Sequence, residues 1–412
     1  MRFLASPRVV AVLFAGAVMS ACADDAILAP SPPRATADAA LAAEHGAPVA
    51  SRLASVRWND LARAAVTEDR VDPPMASRFY ALLSVAQRRA VDAVDAGTRA
   101  RGGGRRPELV HAAVVAASAE MLSYLFPARA AAFRETERGD LAALASPRAD
   151  GSELAAVRQL GADAARAVIR TAATDGADAI WAPLIPTGAG KWIFDPAIGY
   201  PLRPEWGRVR PWLMTTGSQF RPSPPPAFGS DVYRAALAEV RAISDTRTAE
   251  QLRIAIFWSD GAGTVTPPGH WNAIASQLAE RYSLDERRST QMFALLNMAL
   301  MDAGIGCWDA KYTYWLIRPS QADPLITTPV GLPNFPSYVS GHAAFSGAAA
   351  TVLGEIFPSA RGDLEAMAEQ AAMSRLYGGI HYRFDNEQGL ALGRRVGALA
   401  VARLRGSASG AP

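Results

Sequence analysis

The sequence predicts an all-α protein of helical bundles, with a C-terminal bundle carrying the functional site and an N-terminal helical bundle packed on it. Apolar residues recur at helical spacing, as at Tyr80, Leu83, Ala86, Ala90 and Val94, whereas the alternation of strands is hardly seen. Half of the 412 residues are apolar and a fifth are charged, ample for one large core or two medium ones. Prolines and glycines gather in a few breaks, at 181–228, 261–269 and 319–339.

Residues 1–21 read as a signal peptide, with Arg2 and Arg8 before the apolar stretch Val9–Val18. Met19-Ser20-Ala21-Cys22 follows and resembles a bacterial lipobox, although leucine is usual where Met19 stands. A lipoprotein anchored at Cys22, periplasmic or at the cell surface, is expected; simple secretion after an ordinary signal is the alternative. Residues 22–50, rich in Ala and Pro, then form a tether, and 51–180 an N-terminal helical region. Within it Leu109–Phe126 contains His111 and Glu120 and predicts an amphipathic helix, since no segment after the leader offers 18 uninterrupted apolar residues. Residues 181–229 include Pro222, Pro224, Pro225 and Pro226, which forbid a long helix and predict an extended connection over the surface. Helical patterning resumes near Ser230 and marks 230–405 as the catalytic bundle.

The charges, 42 basic against 39 acidic for a net +3, are mixed along the chain, so no nucleic-acid footprint is present. Of the 42 basic residues only Lys191 and Lys311 are lysines, leaving 40 arginines. With only Cys22 and Cys307, neither a disulfide scaffold nor a thiolate zinc site is available.

Three segments of the last third carry chemistry. The first runs from Lys311 to Arg318-Pro319, behind a helix from about Gln291. Seven residues make about two turns, which predicts Lys311 and Arg318 on one helical face about 10 Å apart, with Pro319 ending the helix. Two cations on one face repel unless an anion lies between them, and their neighbours are Trp308, Tyr312 and Trp315 rather than carboxylates. A lysine in an arginine-using chain also suggests a need for a compact charge. The second segment, Pro336-Ser337-Tyr338-Val339-Ser340-Gly341-His342, predicts Ser340 as the N-cap of a small-residue helix, its hydroxyl and the Gly341 amide facing an anion and His342 beside it. The third, Ser374-Arg375 to His381 and Asp385, adds a cation, a break at Gly378-Gly379, and a carboxylate within reach of the His381 ring. Singly, each suits a solvated basic face, a plain capped helix or a satisfied core histidine. Together they suit a tetrahedral oxyanion passing through a five-coordinate state, with one histidine bonding the central atom and the other exchanging protons.

Lysine, six residues, Arg-Pro; Pro-Ser and Ser-Gly-His; Ser-Arg, five residues, His and a later Asp: this order, within the 75 residues from Lys311 to Asp385, resembles the three-part motif of the type 2 phosphatidic acid phosphatase superfamily. The flanking Trp308, His381-Tyr382-Arg383-Phe384-Asp385 and Phe257–Gly261 followed by Thr266–Asn272 resemble its vanadium-dependent haloperoxidases. The resemblance implies vanadate bonded to His381 and held by Lys311, Arg318, Arg375, Ser340 and Gly341, with His342 as acid and base. It also implies hydrogen peroxide, a halide and a small organic acceptor as partners, and Asp260 paired with Arg375. Phe335, Trp308 and His270 are candidates for the halide or substrate pocket, and His270 equally for a cap on a helix near Trp271. Phe335 stands where chloroperoxidases carry Phe and many bromoperoxidases His. Two departures are Val339 in place of the usual proline, and only 20 residues between Arg318-Pro319 and Ser340. The alternative is a soluble phosphatase working through a phosphohistidine at His381; a non-catalytic phosphate-binding lipoprotein is a third.

Overall fold

The computed structural model describes residues 52–100, 106–144, 151–180 and 184–409; the leader, Cys22 and the tether lie outside the described residues. Among the described residues there are thirteen α-helices and no strand beyond isolated bridges, so the chain is all-α as its sequence predicts. The helices are α1 (Ala54–Glu68), α2 (Pro73–Ala100), α3 (Pro107–Leu125), α4 (Ala130–Leu144) and α5 (Gly151–Ala172), then, beyond the arm, α6 (Asp231–Thr246) and α7 (Ala249–Phe257). There follow α8 (Thr266–Arg281), α9 (Glu286–Tyr314), the single turn α10 (Pro319–Ala322), α11 (Gly341–Ile356), α12 (Arg361–Tyr377) and α13 (Arg383–Ser409).

Helix α9 is the axis. Asp285 caps it by accepting from the Arg288 amide at 2.9 Å, and Met292 to Ala310 are buried almost without interruption apart from Asp309. One side packs on α2 and the other on α11 and α13. Helices α11 and α13 touch backbone to backbone, because α13 offers Gly389, Gly393 and Gly397 to the small residues of α11. A Cβ on Gly393 would lie 2.1 Å from the Ala344 carbonyl oxygen. This close approach brings the start of α11, with Ser340 and His342, against the start of α13, with Asp385.

Two expectations are corrected. Helix α3 is not amphipathic: Leu109, Val110, Ala112 to Ala119, Met121 and Leu122 are all buried under α2, α4 and α5. Among the described residues it is the one helix long and apolar enough to cross a membrane, yet 72% of its most apolar window is covered by protein. The arm from 184 to 229 contains only short 3₁₀ turns, as its prolines dictate, but it is not merely draped on the surface. Trp192 and Trp206 are buried, and the Asp302 carboxylate of α9 accepts the amides of Trp212, Leu213 and Met214 at 2.8, 2.7 and 2.8 Å. Three donors on one buried carboxylate replace the ladder bonds that an irregular segment lacks.

Candidate oxyanion site

Lys311 lies on the last turn of α9 and is fully buried. Its Nζ donates to the carbonyls of Pro336 at 2.9 Å and Ser337 at 2.8 Å, and sits 4.9 Å from the Phe335 ring centroid. An ammonium has three donors, so one remains. Arg318 is not on that helix. The helix stops at Tyr314; Trp315 takes a left-handed conformation (φ 56°) and donates its amide to the Lys311 carbonyl at 2.9 Å. The chain then runs extended and Arg318 precedes α10, so a reversal of the backbone, not a shared helical face, brings both cations to Phe335, each 4.9 Å from its ring centroid. The pre-proline position of Arg318 disfavours α geometry there and keeps the helix from resuming before Pro319. Arg318 donates from Nε to Phe335 O at 2.9 Å and from Nη1 to Ile380 O at 2.7 Å and His381 Nε2 at 3.1 Å; Nη2 is buried with no partner. Arg375, near the end of α12, donates to Ser374 Oγ at 2.8 Å and to Ala255 O at 2.6 Å. Burial pushes Lys311 down to about 7, and both guanidinium groups down to about 10.

His381 follows Gly378 and Gly379, the second at φ +70°, where an added Cβ would lie 2.4 Å from Thr327 O; the break is thus as the sequence suggests. The His381 Nδ1 donates to Asp385 Oδ2 at 2.8 Å, and the same oxygen accepts from Ser337 Oγ at 2.5 Å and the Tyr382 amide at 3.2 Å. With Nδ1 donating, Nε2 keeps its lone pair. Burial, then the charges of Arg318 and Lys311, push His381 well below the ordinary imidazole value, so the ring is neutral. Burial raises Asp385 to about 6, leaving a carboxylate at neutral pH.

Ser340 caps α11, accepting weakly from the Ala343 amide at 3.4 Å, while the amides of Gly341 and His342 have no partner within the helix. His342 is half-buried and its Nε2 has no partner. Burial, then Arg375, push it well below the ordinary value, against hydrogen bonding to the backbone of Trp258 and Ser259. A cavity of about 330 Å³ is lined by Gly341, His342, Arg375 and His381 together with Phe335, Trp308, Leu332 and Pro333.

Two placements differ from expectation. Asp260 does not pair with Arg375: its Oδ2 bonds His270 Nδ1 at 3.0 Å, and it acts on Arg375 only through space, opposing the effect of burial. Its backbone is left-handed, at φ 41°. His270 neither lines the cavity nor caps a helix. Helix α8 begins earlier, at Thr266, with Pro267 and Pro268 in its first turn, so His270 lies inside it, stacked on Trp258 at 4.4 Å. Ser337, which orients Asp385 and whose carbonyl holds Lys311, had no role assigned from sequence; its place in the Pro336-Ser337 pair is the signal that could have found it.

The description "VCPO second helical-bundle domain" matches residues 291–323 and 359–410. Vanadium chloroperoxidase of Curvularia inaequalis is 29% identical over 188 residues, covering 35% of this chain and 31% of that protein, so the match spans about a third of that relative. The solved structure described as the first bacterial vanadium-dependent iodoperoxidase superposes with a TM-score of 0.71 at 26% identity, covering 84% of this chain and 95% of that one.

The chain is similar to vanadium-dependent haloperoxidases, in fold and in the sequence of this helical bundle.

A holo-type bacterial vanadium-dependent chloroperoxidase, at 15% identity and TM-score 0.61 over 80% of this chain and 92% of that one, shares the fold. The cofactor implied by a vanadium-dependent haloperoxidase is vanadate, and the donor set fits it. Lys311, Arg318 and Arg375 have no carboxylate within ion-pair distance among the described residues. Among the described residues the buried Arg318 Nη2 and His342 Nε2 lack partners, and the His381 Nε2 lone pair, which accepts from Arg318 Nη1, lies beside Nη2. An unpaired buried donor such as Arg318 Nη2 is costly, and an oxyanion is the species that satisfies it.

Proposed function

We propose that this chain oxidises a halide with hydrogen peroxide at a vanadate bonded to His381 Nε2. The observation that carries this reading is the neutral, Asp385-oriented His381 beside three buried cations that form no ion pair with a carboxylate among the described residues. When bound, vanadate would supply a Lewis-acidic centre that activates hydrogen peroxide toward the halide. Lys311, Arg318, Arg375 and the amides at the start of α11 hold its oxygens and stabilise charge developing on them; one such donor is worth about 3–4 kcal/mol. Asp385 keeps the His381 proton on Nδ1. His342, neutral and unpartnered at Nε2, takes a proton from hydrogen peroxide there and returns it to the departing oxygen. The apolar part of the cavity lining, with Leu332, Pro333 and Phe345, limits water and admits a small organic acceptor, and Phe335, which offers no donor to a halide, favours chloride as well as bromide oxidation. Export and lipidation at Cys22 complete the proposal; they rest on sequence alone and are tested by palmitate labelling of the wild type against Cys22→Ser.

The deciding experiment supplies vanadate, hydrogen peroxide and monochlorodimedone with chloride, bromide or iodide, and separately a phosphate monoester without vanadate. Halide-dependent bleaching that requires vanadate, without ester hydrolysis, supports the proposal. Ester hydrolysis through a phosphohistidine at His381, without bleaching, assigns the same site to a phosphatase.

A further inference from the structure

The reversal between Lys311 and Arg318 is not held by its own helix, which ends at Tyr314. It is held by the arm. The Trp192 amide donates to Trp315 O at 2.7 Å, and the Ile317 amide to Gly190 O at 2.9 Å, so that residues 190–192 pair with 315–317 around the bridge Lys191–Leu316. The Lys191 Nζ donates to Tyr314 O at 3.0 Å, one of the carbonyls left open at the end of α9, where a positive charge is favoured. Gln321, on the turn α10, closes the arrangement: its Oε1 accepts from the Arg318 amide at 3.3 Å and the Ile193 amide at 3.2 Å, while its Nε2 donates to Ile193 O at 2.7 Å. Gly190 fits because it lies at φ +75° with an added Cβ 2.6 Å from the Phe228 Cβ, so no other residue lets the arm sit at this depth. Both lysines of the chain therefore serve one backbone turn: Lys311 enters the site from it, and Lys191 clamps its outer side.

We propose that the segment Gly190–Ile193, acting through Lys191 and Gln321, is the device that positions Arg318 toward the oxyanion, so that oxyanion affinity is set in part by residues of the arm that never touch the anion. The inference rests on the reading that Arg318 holds an oxyanion, which the haloperoxidase and the phosphatase share. Lys191 and Gln321 are positioning residues: they fix where the Arg318 backbone leaves the turn, and the Phe335 and Ile380 carbonyls then aim its guanidinium. An arginine tethered at one end only would sample other rotamers and give up part of its contact with the anion.

Orthovanadate is titrated into the full chain freed of vanadate, with inorganic phosphate as a competing probe, at a temperature well below the Tm of every variant. Lys191→Met and Gln321→Leu are each expected to weaken orthovanadate affinity about ten-fold, the size typical for partners that orient a ligand-binding group. Lys191→Arg, which keeps the charge and donors, is expected to stay within about three-fold of wild type. The same substitutions in an Arg318→Met background are expected to change affinity by less than about two-fold, because the group through which they act is gone. Wild-type affinity in folded Lys191→Met and Gln321→Leu, or an undiminished loss in the Arg318→Met background, overturns the proposal. If the wild type hydrolyses phosphate esters and oxidises no halide, the functional reading fails, while the same ranking of variants with phosphate as probe upholds the strap. Failure of the wild type to bind either anion overturns both.

Discussion

Arg78 in the N-terminal bundle and Arg318 at the site are both buried, and their partners differ in kind. Arg78 donates to the Asp175 carboxylate at 2.7 Å and to Ala172 O at 3.0 Å, so its charge is matched within the protein. Arg318, with Lys311 and Arg375, bonds mainly neutral backbone carbonyls, a ring nitrogen or a hydroxyl, and leaves Nη2 unsatisfied. A matched buried pair holds a bundle together; unmatched buried cations are a cost that folding tolerates only where a ligand removes it. The first arrangement is about stability, the second about binding, and the two respond oppositely to the same substitution.

The largest expected effect breaks the structural side of this comparison. Arg78→Met strands the Asp175 carboxylate and should lower unfolding free energy by about 3–5 kcal/mol in urea titrations, with the folded fraction keeping its orthovanadate affinity. On the other side, Arg318→Met removes an unmatched charge. Halide oxidation should fall about 10²–10³-fold, while the Tm of the vanadate-free protein holds or rises. A fall in Tm as large as that of Arg78→Met would show that Arg318 is matched after all. Next in size is Asp385→Asn, which releases the His381 tautomer and should cost about 10–100-fold in vanadate affinity or turnover. The smallest effect concerns pH. Burial holds folded Lys311 at about 7, against about 10.4 in the unfolded chain. Between these values the unfolded state carries the extra proton, so stability should be lowest below pH 7 and climb toward pH 10. Comparing Tm at several pH values for the wild type and Lys311→Met checks this: the variant should lose that part of the climb.

Much of the site was legible because its chemistry is local. Ser340 caps its helix, the Gly378-Gly379 break turns His381 inward, and Asp385 lies four residues on, within reach of the ring. What could not be read depends on contacts distant in sequence. Helical spacing placed Lys311 and Arg318 on one face, but a left-handed Trp315, held by an arm more than a hundred residues earlier, reverses the chain between them. Asp260 bonds His270, ten residues on and inside α8, rather than Arg375, and its left-handed backbone is encoded by no pattern. The arm itself read as surface because prolines exclude helix; they do not exclude burial, and its tryptophans were the overlooked sign. Helix α3 read as amphipathic from two polar residues, one of which, Glu120, pairs with Arg166 at 2.9 Å from α5, while the apolar residues from Leu109 to Leu122 are enclosed.

Calorimetric titration of orthovanadate into the vanadate-free chain, alongside Arg318→Met and Arg78→Met, reaches the core of this account. One anion per chain is expected, displaced by phosphate, with affinity lost in Arg318→Met and kept in Arg78→Met. Equal affinity in wild type and Arg318→Met would mean that the buried positive charges are not kept for an oxyanion.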